Sequence, residues 1–156
     1  MITMYTDGAA QGNPGRGGYG VVLKYKQHRK ELSQGYRLTT NNRMELLAVI
    51  VGLEAIKEPG YEVTVYSDSR YVVDAVEKKW LWGWVKKGFA KVKNPDLWQR
   101  LLKVYPKHKV RFVWVKGHAG NPENERCDQL AVQAASGGGL LVDEGYESAQ
   151  DLTLDS

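Results

Sequence analysis

Apolar and polar residues alternate from Met1 to Gly8, with Ile2, Met4 and Thr6 on one side and Thr3, Tyr5 and Asp7 on the other. That is the period of a β-strand. The strand is expected to end in Asp7 and then a glycine run at Gly8, Gly12, Gly15, Gly17, Gly18 and Gly20, with Asn13-Pro14-Gly15 as its turn. Tyr19–Tyr25 and Glu31–Leu38 read as a second and a third strand. The short gap between them predicts an antiparallel hairpin, so the first three strands form a meander. Thr39-Thr40-Asn41-Asn42 offers capping side chains, and a helix follows from Arg43 to Lys57, stopped by Pro59-Gly60. Its apolar residues spread so widely around the helix that it is expected to be buried on most sides. Glu62–Ser67 reads as a fourth strand with Asp68 at its end, and Ser69–Lys79 as a helix. A further helix is predicted over Leu97–Tyr105, a fifth strand over Val110–Lys116, and a last helix over Glu123–Ser136 with Asn121 as cap and Pro122 at its first position.

This order predicts an α/β fold, a five-stranded mixed sheet flanked by helices. A strand–helix–strand crossover over residues 1–67 sets the first and fourth strands side by side and parallel. Asp7 and Asp68 then become neighbours at the sheet edge where ligands of open α/β folds sit.

Composition refines the picture in two places. The chain has 156 residues, enough for one domain, and one cysteine, Cys127, which forms no internal disulfide and is expected to be an inert small residue of the core or its edge. No apolar run is long enough to span a bilayer and no signal-peptide pattern opens the chain, so a cytoplasmic protein with no membrane association is expected. Charge is uneven. Five of the 18 acidic residues lie in the tail after Gly137, which leaves 13 against all 22 lysines and arginines in residues 1–136, a net charge of +9. A body that basic points to an anionic partner, nucleic acid first, although solubility alone explains such a charge about as well. The tail, residues 137–156, is expected to be disordered or a loose flap, competing weakly for the lysines.

The basic residues are most concentrated from Lys78 to Lys93, with six lysines and no acid interleaved with Trp80, Trp82, Trp84 and Phe89. Lysines neutralise phosphates, and aromatic rings pack on bases or sugars or support the fold. Some of these tryptophans must be core, because residues at alternate positions cannot share one helix face. His28 and His108 lie in turns among lysines and read as surface residues, whereas His118 sits on a loop next to the fifth strand's end.

Four acids remain as candidate chemistry: Asp7, Glu45, Asp68 and Asp128. Each has an ordinary explanation alone, such as a solvated strand end or a glutamate favoured in a helix's first turn. Together they can meet at one sheet edge. Clustered carboxylates repel unless a cation joins them, and oxygen ligands without Cys or His select Mg²⁺ or Mn²⁺. The residues alone thus point to a metal-dependent nuclease, with a generic α/β domain as the alternative.

The segments Tyr5-Thr6-Asp7-Gly8, Thr39-Thr40-Asn41-Asn42-Arg43-Met44-Glu45, Ser67-Asp68-Ser69, Val115-Lys116-Gly117-His118-Ala119-Gly120 and Asn124-Glu125-Arg126-Cys127-Asp128 resemble bacterial ribonuclease HI in order and spacing. The resemblance spans residues 1–136. It implies a ribonuclease H-like fold and cleavage of the RNA strand of RNA–DNA hybrids to 5′-phosphate and 3′-hydroxyl ends, with two Mg²⁺ ions and Mn²⁺ as a substitute. It implies that Asp7, Glu45, Asp68 and Asp128 bind the metal and that His118 assists proton handling or product departure. Asn13, Asn41 and Asn42 would contact the hybrid, and Thr40 a phosphate of the DNA strand. The stretch containing Trp80, Trp84, Lys86 and Lys87 resembles the family's substrate-binding protrusion but is shorter between Gly88 and Pro95. Arg70 stands where the bacterial family often has glutamine, which trades a hydroxyl contact for a phosphate contact. A monomer is expected. The rival readings are a catalytically silent hybrid-binding module and a DNA strand-transfer or resolvase nuclease on the same fold.

Overall fold

The computed structural model of the chain describes residues 1–117 and 120–155. Strands β1 (Ile2–Gln11), β2 (Gly15–Tyr25) and β3 (His28–Thr39) form the meander, and helix α1 (Asn41–Glu54) leads to β4 (Glu62–Ser67). Helices α2 (Arg70–Glu77), α3 (Trp80–Lys86) and α4 (Pro95–Val104) precede β5 (Lys109–Trp114), and α5 (Pro122–Ser136) and α6 (Glu144–Asp155) close the chain. The sheet order is β3-β2-β1-β4-β5. β1 is antiparallel to β2 and parallel to β4, and β4 is parallel to β5, so the expected mixed sheet is present.

β1 runs further than its alternation predicts. Asp7 lies inside it, paired with Gly20, and pairing with β2 continues to Gln11 and Arg16. On the other side β4 pairs with β1 only from Ile2 to Tyr5. The two parallel strands therefore part just before Asp7 and Asp68, and the separation opens the sheet edge at those two acids.

The sheet is covered on both faces. One face packs Met4, Val21 and Leu23 with α1, α2 and α4, in a core that includes the fully buried Trp98; the other packs Tyr5 and Val22 with Cys127 and Leu130 of α5. Trimming a side chain such as Trp98 to alanine in a core this well filled costs about 3–5 kcal/mol. α1 is buried almost all round, from Arg43 to Ile50 without interruption. Its cap is Thr40, whose hydroxyl accepts from the Arg43 N–H, and it ends at Glu54, before Pro59-Gly60. Asn121 caps α5, accepting from the N–H groups of Glu123 and Asn124.

Two glycines bring the helices close. A Cβ on Gly8 would overlap the backbone of Met44 and Glu45, and one on Gly20 would overlap the Cys127 carbonyl. Glycine at these positions lets α1 and α5 approach β1 and β2 at backbone distance.

Two expectations are corrected here. His108 is buried, not superficial: its Nδ1 accepts from the Tyr61 N–H, and burial with the neighbouring Lys107 charge lowers its pKa. The tail is no loose flap over residues 141–147. The Leu141 N–H donates to Gly35 O, Arg37 N–H donates to Leu141 O, and the Arg37 guanidinium grips Glu147 at 2.7 and 2.8 Å. Asp143 is buried against Arg43 at 2.8 Å. Short polar links to β3 and α1 thus hold a stretch whose composition alone reads as unstructured, and these two acids are already engaged and do not compete for the lysines.

Candidate active site

Asp7, Glu45 and Asp68 each offer one carboxylate oxygen such that these atoms all lie within 4.8 Å of one another. Three different elements supply them. Asp7 comes from β1 at the point where β4 departs, Asp68 from the residue after β4, and Glu45 from the first turns of α1, brought against β1 by Gly8. Asp128 on α5 stands beside Asp7, close enough to hydrogen-bond to it and raise its pKa. Asp7, Asp68 and Asp128 line a crevice of about 290 Å³ together with Lys116, Asn121 and Asn124.

The electrostatics are those of a site short of positive charge. Burial and then the Asp68 charge push Asp7 up to about 7, and burial followed by Asp7 and Asp68 raises Glu45 well above the usual carboxylate range. The contact between the two carboxyl groups lowers Asp7 and raises Glu45, so of the pair the more deeply buried Glu45 is displaced furthest from the ordinary carboxylate range. Glu45 is only 5% exposed, and its Oε2 has no hydrogen-bond partner. An orphaned buried carboxylate oxygen facing two more carboxylates, with no nitrogen or sulfur ligand in the group, fits a hard divalent cation. Asp7 is also oriented from behind, as its Oδ1 accepts from the Gly8 N–H at 2.9 Å.

The polar residues named for substrate gather beside this centre. Asn13 Oδ1 accepts from the Asn41 N–H at 3.1 Å, so the β1–β2 turn and the start of α1 are joined, with Asn13, Asn41 and Asn42 exposed around capping Thr40. A groove of about 550 Å³ runs between Asn13, Thr40 and Asn42 on one side and Lys93 on the other. In the basic segment Lys78, Lys79, Lys86 and Lys87 are exposed, and Trp80 is 49% exposed. Trp84 is half-buried, edge-on to Trp98 at 5.3 Å, and Trp82 packs on Tyr105 at 5.7 Å. Those two rings root the segment in the core. His118 lies outside the described residues.

Arg70 is held in an arrangement that its position alone does not reveal. Its guanidinium lies 3.8 Å from the centre of the Trp114 ring, whose Nε1 donates to Asp68 O at 3.2 Å. This stack fixes a cation next to the acidic centre. Sequence reasoning misses Trp114 as a site residue. The signal is the register of β5 against β4, which pairs Trp114 with Ser67 and so places it by Asp68. It also misses Asn124, a crevice residue whose buried Oδ1 lacks a partner; Asn124 lies one helical turn before Asp128, and that spacing puts both on one face of α5.

Comparison with known proteins agrees with this geometry. The RNase H family model matches residues 1–136. The chain is 63% identical over 147 residues to the ribonuclease H of Desulforamulus reducens, covering 91% of this chain and 92% of that protein. It is 57% identical over 152 residues to the ribonuclease H of Rippkaea orientalis, covering 94% and 93%. Among solved structures it is similar to LC9-RNase H1, a type 1 RNase H with the type 2 active-site motif, with a TM-score of 0.78 and 34% identity over 95% of this chain and 79% of that one. It is also similar to LC11-RNase H1, a metagenomic protein from compost solved with an RNA/DNA hybrid, with a TM-score of 0.59 and 28% identity over 86% and 96%. With a family match over most of its length and relatives this close, the chain belongs to the RNase H family.

Proposed function

We propose that the chain is an endonuclease that hydrolyses the RNA strand of RNA–DNA hybrids, with Mg²⁺ held by Asp7, Glu45 and Asp68 and flanked by Asp128. The observation that carries this reading is the convergence of three carboxylates with an orphaned Glu45 oxygen at the sheet edge, next to exposed amides and lysines. Residues 1–136 form the catalytic domain, and the protein works as a cytoplasmic monomer. Among the described residues no helix is long and apolar enough to cross a membrane.

The reaction adds water across one phosphodiester. The water oxygen bonds to phosphorus, the P–O3′ bond breaks, and the 3′ oxygen takes a proton, leaving 5′-phosphate and 3′-hydroxyl ends. Divalent cations, two by family resemblance, supply charge to the scissile phosphate and lower the pKa of water when bound. Asp7, Glu45 and Asp68 hold that charge in place, and Gly8 and the Gly8–Asp7 hydrogen bond keep their spacing. Asn13, Asn41 and Asn42 are short amides that both donate and accept, suited to reading 2′-hydroxyls across a shallow minor groove. Thr40 and the Arg70–Trp114 stack bind phosphates, as do Lys86 and Lys87, with Trp80 against the backbone of the hybrid and Trp84 as its footing. His118 is assigned, by family resemblance, to proton handling or product departure.

A gel of strand-labelled hybrid tests the reading. RNA is cut with Mg²⁺, more weakly or differently with Mn²⁺, and not in chelator, while duplex DNA and single-stranded RNA stay intact. Asp7→Asn retains hybrid binding and loses cleavage. Undiminished cleavage by that variant would show that the centre lies elsewhere, and cleavage of all-DNA duplex would favour a strand-transfer or resolvase nuclease.

A further inference from the structure

We propose that the C-terminal segment beyond the family domain belongs to the substrate-binding apparatus, with Asp143 as a positioning residue. Through Arg43 it sets the distance between the amino end of α1 and the Lys93 end of the basic segment. The inference rests on the hybrid-binding reading above and adds to it a segment outside the residues matched by the family.

Arg43 is 2% exposed and sits between Asn42 and the Glu45 turn of α1. All five of its guanidinium hydrogens are engaged. Nε and Nη2 donate to the two Asp143 oxygens at 2.8 and 2.9 Å, and Nη1 and Nη2 donate to the two Asp96 oxygens at 2.9 and 2.7 Å. Nη1 also donates to Asn94 Oδ1 at 3.2 Å. Asn94 and Asp96 are where the basic segment ends and α4 begins. One side chain on α1 thus fastens the end of the lysine-bearing stretch, and Asp143 grips that side chain from the opposite side. Asp143 also accepts from Thr39 Oγ1 at 2.7 Å, the residue preceding the Thr40 cap. Its reach therefore extends to both parts of the joint, the β3–α1 corner and the Arg43 guanidinium.

The arrangement holds more negative charge than Arg43 needs. Asp96 alone, paired through both oxygens, neutralises it. Asp96 is exposed, whereas Asp143 is buried and also accepts from the Tyr146 N–H at 3.3 Å. A buried carboxylate added to an already neutralised arginine adds desolvation cost, and buried ion pairs of this kind are weak stabilisers whose best-attested use is to specify geometry. The geometry at stake here is the groove of about 550 Å³, whose walls are Thr40 and Asn42, Lys93, and Gly145 and Tyr146 of the tail itself. A phosphodiester track crossing from the α1 amides to the lysines needs those walls at a set spacing, and small misplacements of binding groups are costly. Gly145 is part of the same fit: a Cβ there would strike the Asp96 carboxylate and come near Arg43 Nη2.

The test compares hybrid binding, by fluorescence anisotropy in chelator, with steady-state kinetics in Mg²⁺. Asp143→Asn keeps the shape and makes the protein one charge more positive, so charge alone predicts tighter binding. The proposal predicts the reverse: Kd and KM rise roughly fivefold or more, with kcat within about twofold of the parent. Gly145→Ala, which alters no charge, shifts both constants in the same direction and serves if Asp143→Asn does not fold. Arg37→Ala releases the Glu147 staple without touching Arg43 and leaves Kd within about twofold. The proposal is overturned if Asp143→Asn binds hybrid as tightly as the parent while its melting temperature falls, or if kcat drops at unchanged KM. It is overturned equally if Arg37→Ala weakens binding as much, since attachment of the tail would then be the whole effect. Failure of the parent protein itself to bind hybrid would instead refute the underlying functional reading.

Discussion

The carboxylate centre and the basic segment are built in opposite ways. Asp7, Glu45 and Asp68 come from elements far apart in the chain and meet only because β1, β4 and α1 pack as they do, with Gly8 permitting the last approach. They are buried or half-buried, leave one Glu45 oxygen without a partner, and have Asp7 and Glu45 raised by burial and mutual repulsion. The lysines from Lys78 to Lys93 are neighbours in sequence, exposed, and displayed on a stretch rooted by Trp82 and Trp84. Chemistry at phosphorus needs charge concentrated at one point, which only tertiary structure can deliver, at a cost to stability. Holding a polyanion needs charge spread along a surface, which local sequence can deliver almost free of cost.

The largest effect that separates the two regions is on turnover. Asp68→Asn or Glu45→Gln is expected to reduce cleavage by roughly a thousandfold or more at saturating hybrid, with Kd in chelator nearly unchanged. A loss of binding in step with cleavage would merge the two regions into one function. Next is stability: Gly8→Ala forces α1 off β1 and should cost about 2–4 kcal/mol in denaturant unfolding, because the overlap is with backbone that cannot turn aside.

A third effect concerns pH. The folded-state pKa of Asp7 is raised to about 7 from 3.8, so between those values the folded chain binds more protons than the unfolded one. Its contribution to stability is then greatest at the acid end of that window and is lost as pH rises through about 7. Glu45 acts in the same direction. Metal-free protein should be less stable to denaturant at pH 8 than at pH 5.5, with Asp7 contributing on the order of 2 kcal/mol, and Asp7→Asn should flatten that slope. Added Mg²⁺ should recover more stability at pH 8 than at pH 5.5, since at the lower pH it competes with protons for the raised carboxylates. The carboxylates of Glu31, Glu123 and Glu147, lowered by their arginine partners, act only at more acid pH. Buried His108, lowered from 6.5, opposes the trend at the acid end of the window, so His108→Gln in the parent should steepen it. The smallest effect belongs to the exposed region. Lys86→Ala with Lys87→Ala should leave kcat unchanged, raise KM severalfold, and flatten the dependence of log Kd on log salt by roughly one unit for each phosphate no longer neutralised.

The same contrast explains what can be read from the chain. The strands, α1 and the neighbouring placement of Asp7 and Asp68 follow from alternation, capping residues and the crossover rule, which act over short stretches and a few topological choices. The basic segment is legible because its signal is composition. Trp114 under Arg70, the partnerless Asn124 oxygen in the crevice and the buried His108 depend on strand register and packing that no window of sequence contains. The tail misleads for the same reason: its acids look solvated by composition, yet Asp143 meets a buried arginine on α1.

Cys127 is fully buried, its Sγ donates to the Tyr5 carbonyl at 3.2 Å, and burial pushes its thiol pKa up, so it stays protonated and out of reach. The molecule accordingly offers thiol reagents a silent background. A lone cysteine introduced at an exposed position such as Lys91 would take a dye or spin label stoichiometrically, and would report on the lysine-bearing stretch as a duplex arrives without any need to remove the native sulfur.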